Sequence, residues 1–418
     1  MVDAAGPGCG TIGAVTPEQV TMLRSEAGRE ALAAAATLVD TDRLAAVERL
    51  RRGGRSPELA AAALGQARLR QRAAVKFGAG ADRLLFTDDG LQQATRPAVA
   101  ARRARRLAAA GTDRVVDLCC GIGSDAIAFA RAGLRVTAVD ADPGTAAVAA
   151  ANAETLGLAD RIEVVVGDAA AVHRELPAGG AVFCDPARRA GGRRVFDPAA
   201  YSPPWEFLLS LTGGPACLKL GPGIDHALLP AGVEAEWVSV RGEVVEAALW
   251  CGPLAGVPRR ATVLTGTPAG TPVEAAELTG DGTREAPVGP LRRYLYEPDG
   301  AVLRAHLVAE LAEAIGGSIG EPGVGYLYTD AEVATPFARG YEIEEVLPYS
   351  VKRLRAALRA RDVGVVTIKK RGIALDPDAL RRSLKPSGAG AATVLVTRIA
   401  GAPTALLAHP LPAPPGGA

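Results

Sequence analysis

"VVDLCCGIGSDAIAFARAGLRVTAVDAD", residues 115–142, decides how the middle of the chain folds. A short apolar run ends in a turn carrying Gly121 and Gly123, a helical pattern follows, and a second apolar run closes on Asp140. The rhythm continues through IEVVVGDA, AVFCDPA and ACLKLGPG, short β-rich runs with helical stretches between them. Strands alternating with helices predict a parallel sheet covered on both faces. EAEWVSVRGEVVEAALWCG and RRATVLTG add two or three more strands, the first two joined as an antiparallel hairpin near Gly242.

On the N-terminal side, residues 17–106 read as helices. Thr16 before Pro17 and Ser56 before Pro57 are N-cap signals, and a third helical stretch starts near Pro97. On the C-terminal side, residues 266–290 are rich in Gly, Pro and Thr and read as a linker. Beyond it, a helical stretch follows Pro298, then YEIEEVLPY reads as a strand, SVKRLRAALRARDV as a helix and GVVTIKKRG as a strand. A helix opened by Asp376 and Pro377 and a closing hairpin, ATVLVTRIAG with PTALLAHPL, complete a small α+β module. The tail PAPPGGA is expected to be disordered.

At 418 residues the chain has room for roughly two to four domains. Formal net charge is +1, so only local charge speaks of partners. Cys9, Cys119, Cys120, Cys184, Cys217 and Cys251 form no CxxC pair and sit mostly in apolar runs, which suits reduced thiols better than a disulfide framework or zinc site. The four histidines show no ligand spacing, so no metal is expected. The first residues make a poor signal peptide, and no apolar stretch reaches the roughly 18 residues that span a bilayer. A cytoplasmic protein without a membrane partner is expected.

A strand that turns through glycines into a helix aims backbone N–H groups at a ligand, and no Cβ stands in the way. Dinucleotides and S-adenosylmethionine both use this device. Gly121-Ile-Gly123-Ser-Asp-Ala126 meets the dinucleotide pattern formally, but the acids around it point elsewhere. Asp117, just before the turn, would crowd a pyrophosphate yet suits an α-amino group. Asp140, at the end of the second strand, suits ribose hydroxyls. Asp168, after the third strand, suits an adenine amino group, and Asp185-Pro186 ends the fourth. Asp also favours helix N-caps, so one or two of the four could serve only that role.

The run D-L-C-C-G-I-G, then V-D-A-D, A-A-N-A-E, V-G-D and D-P, over residues 112–252, resembles the class I S-adenosylmethionine-dependent methyltransferases. Cys119 replaces the first glycine of the usual motif, as in similar C-G-x-G turns of RNA methyltransferases of the trimethylguanosine-synthase and 5-methyluridine types. Over its whole length the chain resembles bacterial proteins that add a small ferredoxin-like insert and a C-terminal THUMP-like domain. The resemblance implies S-adenosyl-L-methionine as cofactor and a Rossmann-like α/β sheet with an N-terminal helical domain and a small C-terminal α+β domain. The corresponding boundaries are 1–106 helical, 107–265 methyltransferase, 266–290 linker, 291–345 insert and 346–418 THUMP-like. KFGAGADRLLFTDDGLQQAT resembles a segment that folds over the cofactor, which places Phe86 and Thr87 beside Asp117, Cys119, Gly121, Gly123, Asp140 and Asp168 as cofactor-lining candidates; a helix-bundle core is the other reading of that segment.

At the reacting end, amino-methylating enzymes carry D/N-P-P followed by an aromatic residue. Here the sequence is Asp185-Pro186-Ala187-Arg188, without the second proline or the ring. Arg188 would have to stack on a base in place of the ring, or else contact a phosphate. Cys217 and Cys184 are poorly placed as nucleophiles, which disfavours covalent catalysis. Lys219 is positioned to pair with Asp185 or a phosphate.

Arg188, Arg189, Arg193 and Arg194 crowd the same loop, and residues 350–400, with Lys369, Lys370 and Arg371 among them, hold nine more cations than anions. In a near-neutral chain, such a module is what a phosphate backbone asks for, although an arginine-rich solvated face is the plainer explanation. THUMP-like domains are associated with RNA, so the resemblance implies a tRNA or rRNA partner and a methyltransferase acting on a base. A small-molecule methyltransferase and a catalytically degenerate RNA-binding protein stay open as alternatives. The sequence fixes no oligomeric state.

Overall fold

The structure, a computed structural model, describes residues 15–175, 179–187, 189–190, 193–194, 201–265 and 274–412, with backbone alone at 189–190, 193–194 and 274. These fall into two compact units: residues up to 220 with 249–254, and residues 221–248, 255–265 and 274–412.

The first unit opens with helices α1 (Pro17–Arg24), α2 (Glu26–Ala36), α3 (Arg43–Arg52), α4 (Pro57–Phe77), α5 (Asp88–Gln93) and α6 (Pro97–Ala109). Thr16 closes a capping box with Gln19, and Ser56 accepts the Leu59 amide, so both expected N-caps form. Strands β1 (Arg114–Leu118), β2 (Arg135–Asp140), β3 (Ile162–Val166), β4 (Ala181–Cys184) and, after a two-residue pair β5 (Arg189–Ala190) and β6 (Arg193–Arg194), β7 (Ala216–Leu220) follow. Helices α7 (Ser124–Arg131), α8 (Pro143–Thr155), α9 (Ala169–Glu175) and α10 (Trp205–Ser210) connect them. Every pairing among β1, β2, β3, β4 and β7 is parallel, in the order β7-β4-β1-β2-β3. Strand order reverses beside β1, where open α/β sheets bind ligands.

The helical segment is not a separate domain. Val20, Leu23, Leu64 and Phe86 share one buried cluster with Ile122, Val148 and Ala151 of the sheet's turn and α8. Buried Asn152 of α8 ties the two together: it accepts the Leu85 amide (2.8 Å) and donates to the carbonyls of Leu85 (3.0 Å) and Ile122 (3.1 Å).

In the second unit, β8 (Glu234–Val240) turns through Arg241 and Gly242 into β9 (Glu243–Cys251), whose last three residues belong to the first unit. Both turn residues have positive φ, 54° and 79°, which matches the right-handed twist of a two-residue hairpin. β10 (Arg259–Thr265) runs parallel to β8, and β11 (Glu274–Gly280) antiparallel to β10. The expected linker is therefore partly a strand: within 266–290, residues 266–273 lie outside the described residues and Glu274–Gly280 forms an edge ladder with β10.

β12 (Tyr294–Pro298), α11 (Gly300–Arg304), α12 (Val308–Ile315), β13 (Ser318–Ile319), β14 (Leu327–Thr329), β15 (Ala338–Pro348), α13 (Val351–Ala360), β16 (Val363–Lys370), α14 (Pro377–Leu384), β17 (Gly390–Ile399) and β18 (Ala402–Pro410) complete the unit. Their strands form one seven-stranded sheet, β13-β14-β12-β15-β18-β17-β16. The expected boundary at 345/346 falls inside β15, which pairs with β12 on one side and β18 on the other, so insert and THUMP-like module share a sheet. Among the described residues no helix is long and apolar enough to cross a membrane.

Candidate functional site

The turn after β1 is built from three left-handed residues, Cys119 (φ 66°), Gly121 (φ 57°) and Gly123 (φ 85°). Gly123 stands at the N-cap of α7 without a side-chain cap, and a Cβ on Gly121 would project into open space. Cys119 holds the same backbone region as a non-glycine, at a cost of about 1–2 kcal/mol.

A cavity of about 200 Å³ opens at this turn, lined by Thr87, Thr95, Asp117, Cys119, Gly121, Asp140 and Asp185, among others. Asp117 is fully buried, and among the described residues neither carboxyl oxygen has a hydrogen-bond partner. Burial, then Asp125 and Asp185, push its carboxyl well above the ordinary range, against the pull of Arg103 and Lys219. Asp140 accepts the Gly121 amide on Oδ2 (2.9 Å) and the Asp142 amide on Oδ1 (3.0 Å). Burial raises its carboxyl, and those two amides oppose the shift.

Behind the cavity runs a chain of buried charge. Arg103 pairs with Asp125 and lies 4.6 Å from the centre of the Phe183 ring. Thr95 donates to Asp125 (2.5 Å) and accepts from Lys219 (2.9 Å). Lys219 pairs in turn with Oδ2 of Asp185, so of the two roles expected for Lys219 the structure supplies the carboxylate partner. Lys76, which donates to the Leu91 carbonyl (2.8 Å), has its ammonium lowered to about 8 by burial and then by Lys219 and Arg96.

Thus Asp117, Cys119, Gly121, Asp140, Asp185 and Thr87 meet at one cavity. Gly123 shapes the turn from two residues beyond Gly121. Phe86 does not meet it: its ring packs on Phe77 (5.4 Å), and its backbone exchanges hydrogen bonds with Gln66. Asp168 is exposed and accepts the Ala171 amide (2.9 Å) at the start of α9, so in this structure it acts as a helix cap. Pro186 is buried beside Asp185, while Arg188 and the side chains of Arg189, Arg193 and Arg194 lie outside the described residues. Cys184 and Cys217 are fully buried, and a hydrogen bond with Cys119, then burial, holds the Cys184 thiol far above its ordinary value. Neither cysteine has the exposure a nucleophile needs.

Thr95, Arg103, Asp125 and Lys76 were not singled out in the sequence. One signal was present: Asp125 falls on the apolar face of α7, and a carboxylate there requires a buried cation.

The donor set fits S-adenosylmethionine. Asp117, fully buried at the cavity with no partner among the described residues, offers the acceptor oxygens an α-amino group would need, and Asp140 stands beside the glycine turn, the position from which an acid would reach ribose hydroxyls.

Residues 112–205 match the RNA cap guanine-N2 methyltransferase family, residues 338–410 the THUMP domain-like family, and residues 16–73 a domain of unknown function. An uncharacterized S-adenosylmethionine-dependent methyltransferase of Mycobacterium tuberculosis, found in strains H37Rv and CDC 1551, is 38% identical over 370 residues, spanning 84% of this chain and 95% of the relative. A crystal structure from Porphyromonas gingivalis W83, assigned to the methyltransferases, superposes with a TM-score of 0.71 at 23% identity, covering 91% of this chain and 98% of that one. That likeness establishes a common fold.

Proposed function

The chain belongs to the S-adenosylmethionine-dependent methyltransferases, and from that premise we propose that its methyl acceptor is a base of structured RNA, tRNA or rRNA. The observation that carries this reading is the basic face of the THUMP-like module. Lys352, Arg353 and Arg359 of α13, Lys370 at the end of β16, Arg382 of α14 and Lys385 after it are all exposed. Other cations of the module are engaged locally, Arg361 with Glu344 and Glu345 and Arg381 with Asp378. Exposed cations spread over two adjacent helices suit a phosphate backbone rather than a small metabolite.

Bound S-adenosylmethionine supplies a methyl group already activated by its positive sulfur, so the protein's task is to position the acceptor. Asp117 holds the amino-acid end and Asp140 the ribose. Asp185, with Oδ2 taken by Lys219, keeps Oδ1 to accept a hydrogen bond from the acceptor, helped by the Pro186 carbonyl. To Arg188, outside the described residues, we assign the base stacking that the missing ring would supply, and to Arg189, Arg193 and Arg194 contacts with phosphate.

Mass spectrometry of modified nucleosides from total RNA, with and without the gene, tests this directly. One methylated nucleoside should disappear in the deletion and return with purified enzyme. Asp185→Ala should abolish that transfer while leaving cofactor binding nearly intact. An unchanged nucleoside profile, together with methyl transfer into a small-molecule extract, would reject the RNA reading.

A further inference from the structure

Apart from the cofactor cavity, the second unit carries a ring stack with no role so far. Trp237, fully buried, donates its indole N–H to the Pro222 carbonyl (3.1 Å). The His226 ring lies on it at 4.9 Å and 11°, and the His306 ring lies on His226 at 3.9 Å and 8°. His226 Nε2 sits 2.8 Å from the Arg304 carbonyl, which only accepts, so this nitrogen carries the proton. His306 is exposed and held at φ 59°, a left-handed position that fixes where its ring ends the stack. The stack therefore runs from the core to the surface and stops at an aromatic face.

That face borders a cavity of about 710 Å³. A second cavity of about 760 Å³ shares Gly242, Gly300 and Leu303 with it, so the two form one groove. Arg241, Arg339, Lys369 and Arg371 line the second arm against two carboxylates, Glu297 and Asp299. Both carboxylates are engaged: Glu297 pairs with Lys369, and Asp299 accepts the Ala301 amide at the start of α11. Arg371 keeps a buried Nε without a hydrogen-bond partner among the described residues.

We propose that this groove binds an unpaired segment of the RNA substrate, with one nucleobase continuing the Trp237–His226–His306 stack and the neighbouring phosphates lying along Arg241, Arg339 and Arg371. This rests on the RNA reading above and adds to it the strand state of the substrate and a base-binding residue. Every base has a flat face, so stacking on a histidine tolerates many sequences, while the cationic arm follows the backbone. Burial, His306 and Arg259 lower the His226 ammonium form, which keeps the inner ring of the stack uncharged.

The test uses the full chain and a short unstructured RNA containing one 2-aminopurine, with binding followed by anisotropy and stacking by fluorescence quenching. His306→Asn keeps a residue that tolerates the left-handed backbone and removes the ring; it should bind about tenfold more weakly and lose the quench. His306→Phe should retain both. Wild-type affinity and quench in the Asn variant would overturn the proposal, as would equal loss in both variants. If the wild-type chain binds no RNA at any salt concentration, the RNA reading fails first, and the two failures are told apart.

Discussion

Asp117→Asn separates what a residue does for folding from what it does for binding. The wild-type carboxyl is fully buried with no partner among the described residues, and burial raises its proton affinity. A carboxyl raised on folding contributes stability in its protonated form. That contribution is complete below the ordinary carboxylate range and is lost as pH rises through the folded value. Asparagine does not titrate, so the variant should gain on the wild type as pH rises across this window, by about 1.4 kcal/mol for each unit the folded value is raised. Cofactor binding should move the other way. Losing one charge-assisted hydrogen bond costs about 1.5–3 kcal/mol, or about 10- to 150-fold in affinity. Calorimetry with two ligands isolates the cause: S-adenosylmethionine carries the α-amino group, whereas methylthioadenosine lacks the whole amino-acid end. The variant should bind the first far more weakly and the second as the wild type does. For the wild type, binding the full cofactor should release a proton, seen as a heat that depends on the buffer. Equal weakening for both ligands, or none for either, would refute the assignment of Asp117 to the amino group.

Asp140→Ala should weaken cofactor binding by about 10- to 150-fold and also lower stability, because its oxygens hold the amides of Gly121 and Asp142; unchanged affinity by calorimetry would remove the ribose assignment. Lys219→Met leaves Asp185 and Thr95 without their shared cation and should destabilise by about 3 kcal/mol in urea. Adding Asp185→Asn should recover part of that loss, and strict additivity would show the pair is not coupled. Lys76 has its proton affinity depressed to about 8, so the wild type should become more stable as pH rises from about 8 toward the ordinary lysine value of 10.5. Lys76→Met should flatten that rise in denaturant titrations at fixed temperature.

Much of the fold could be read locally. The strand–turn–helix rhythm predicted the parallel sheet, and Thr16, Ser56 and Asp376 cap helices where the sequence placed them. What escaped depends on distant pairing. EAAELTG has little of the β-branched alternation of an isolated strand and becomes β11 through its ladder with β10. The boundary inside β15 is invisible to local pattern because it is erased by pairing on both sides. At the site, position could be read where the strand–turn–helix pattern fixes it, and Asp117, Gly121 and Asp140 all line the one cavity. It could not where one side chain has two competing uses: Asp168 turned to a helix start, and Phe86 to the helical core. Lys219 with Asp185 was anticipated from opposite charge, but Thr95, Arg103 and Asp125 are joined only by folding, across 22 to 124 residues.

The shared core of the N-terminal helices and α8 has a practical consequence for anyone preparing a minimal enzyme. Starting expression at residue 107 would strip the cover from Ile122, Val148 and Ala151, leave Asn152 without Leu85, and remove Thr87 and Thr95 from the wall of the cavity. Such a fragment would be sticky and unable to hold its ligand even with every motif residue intact. Substitutions in the first hundred residues should accordingly be screened for ligand affinity as well as for yield.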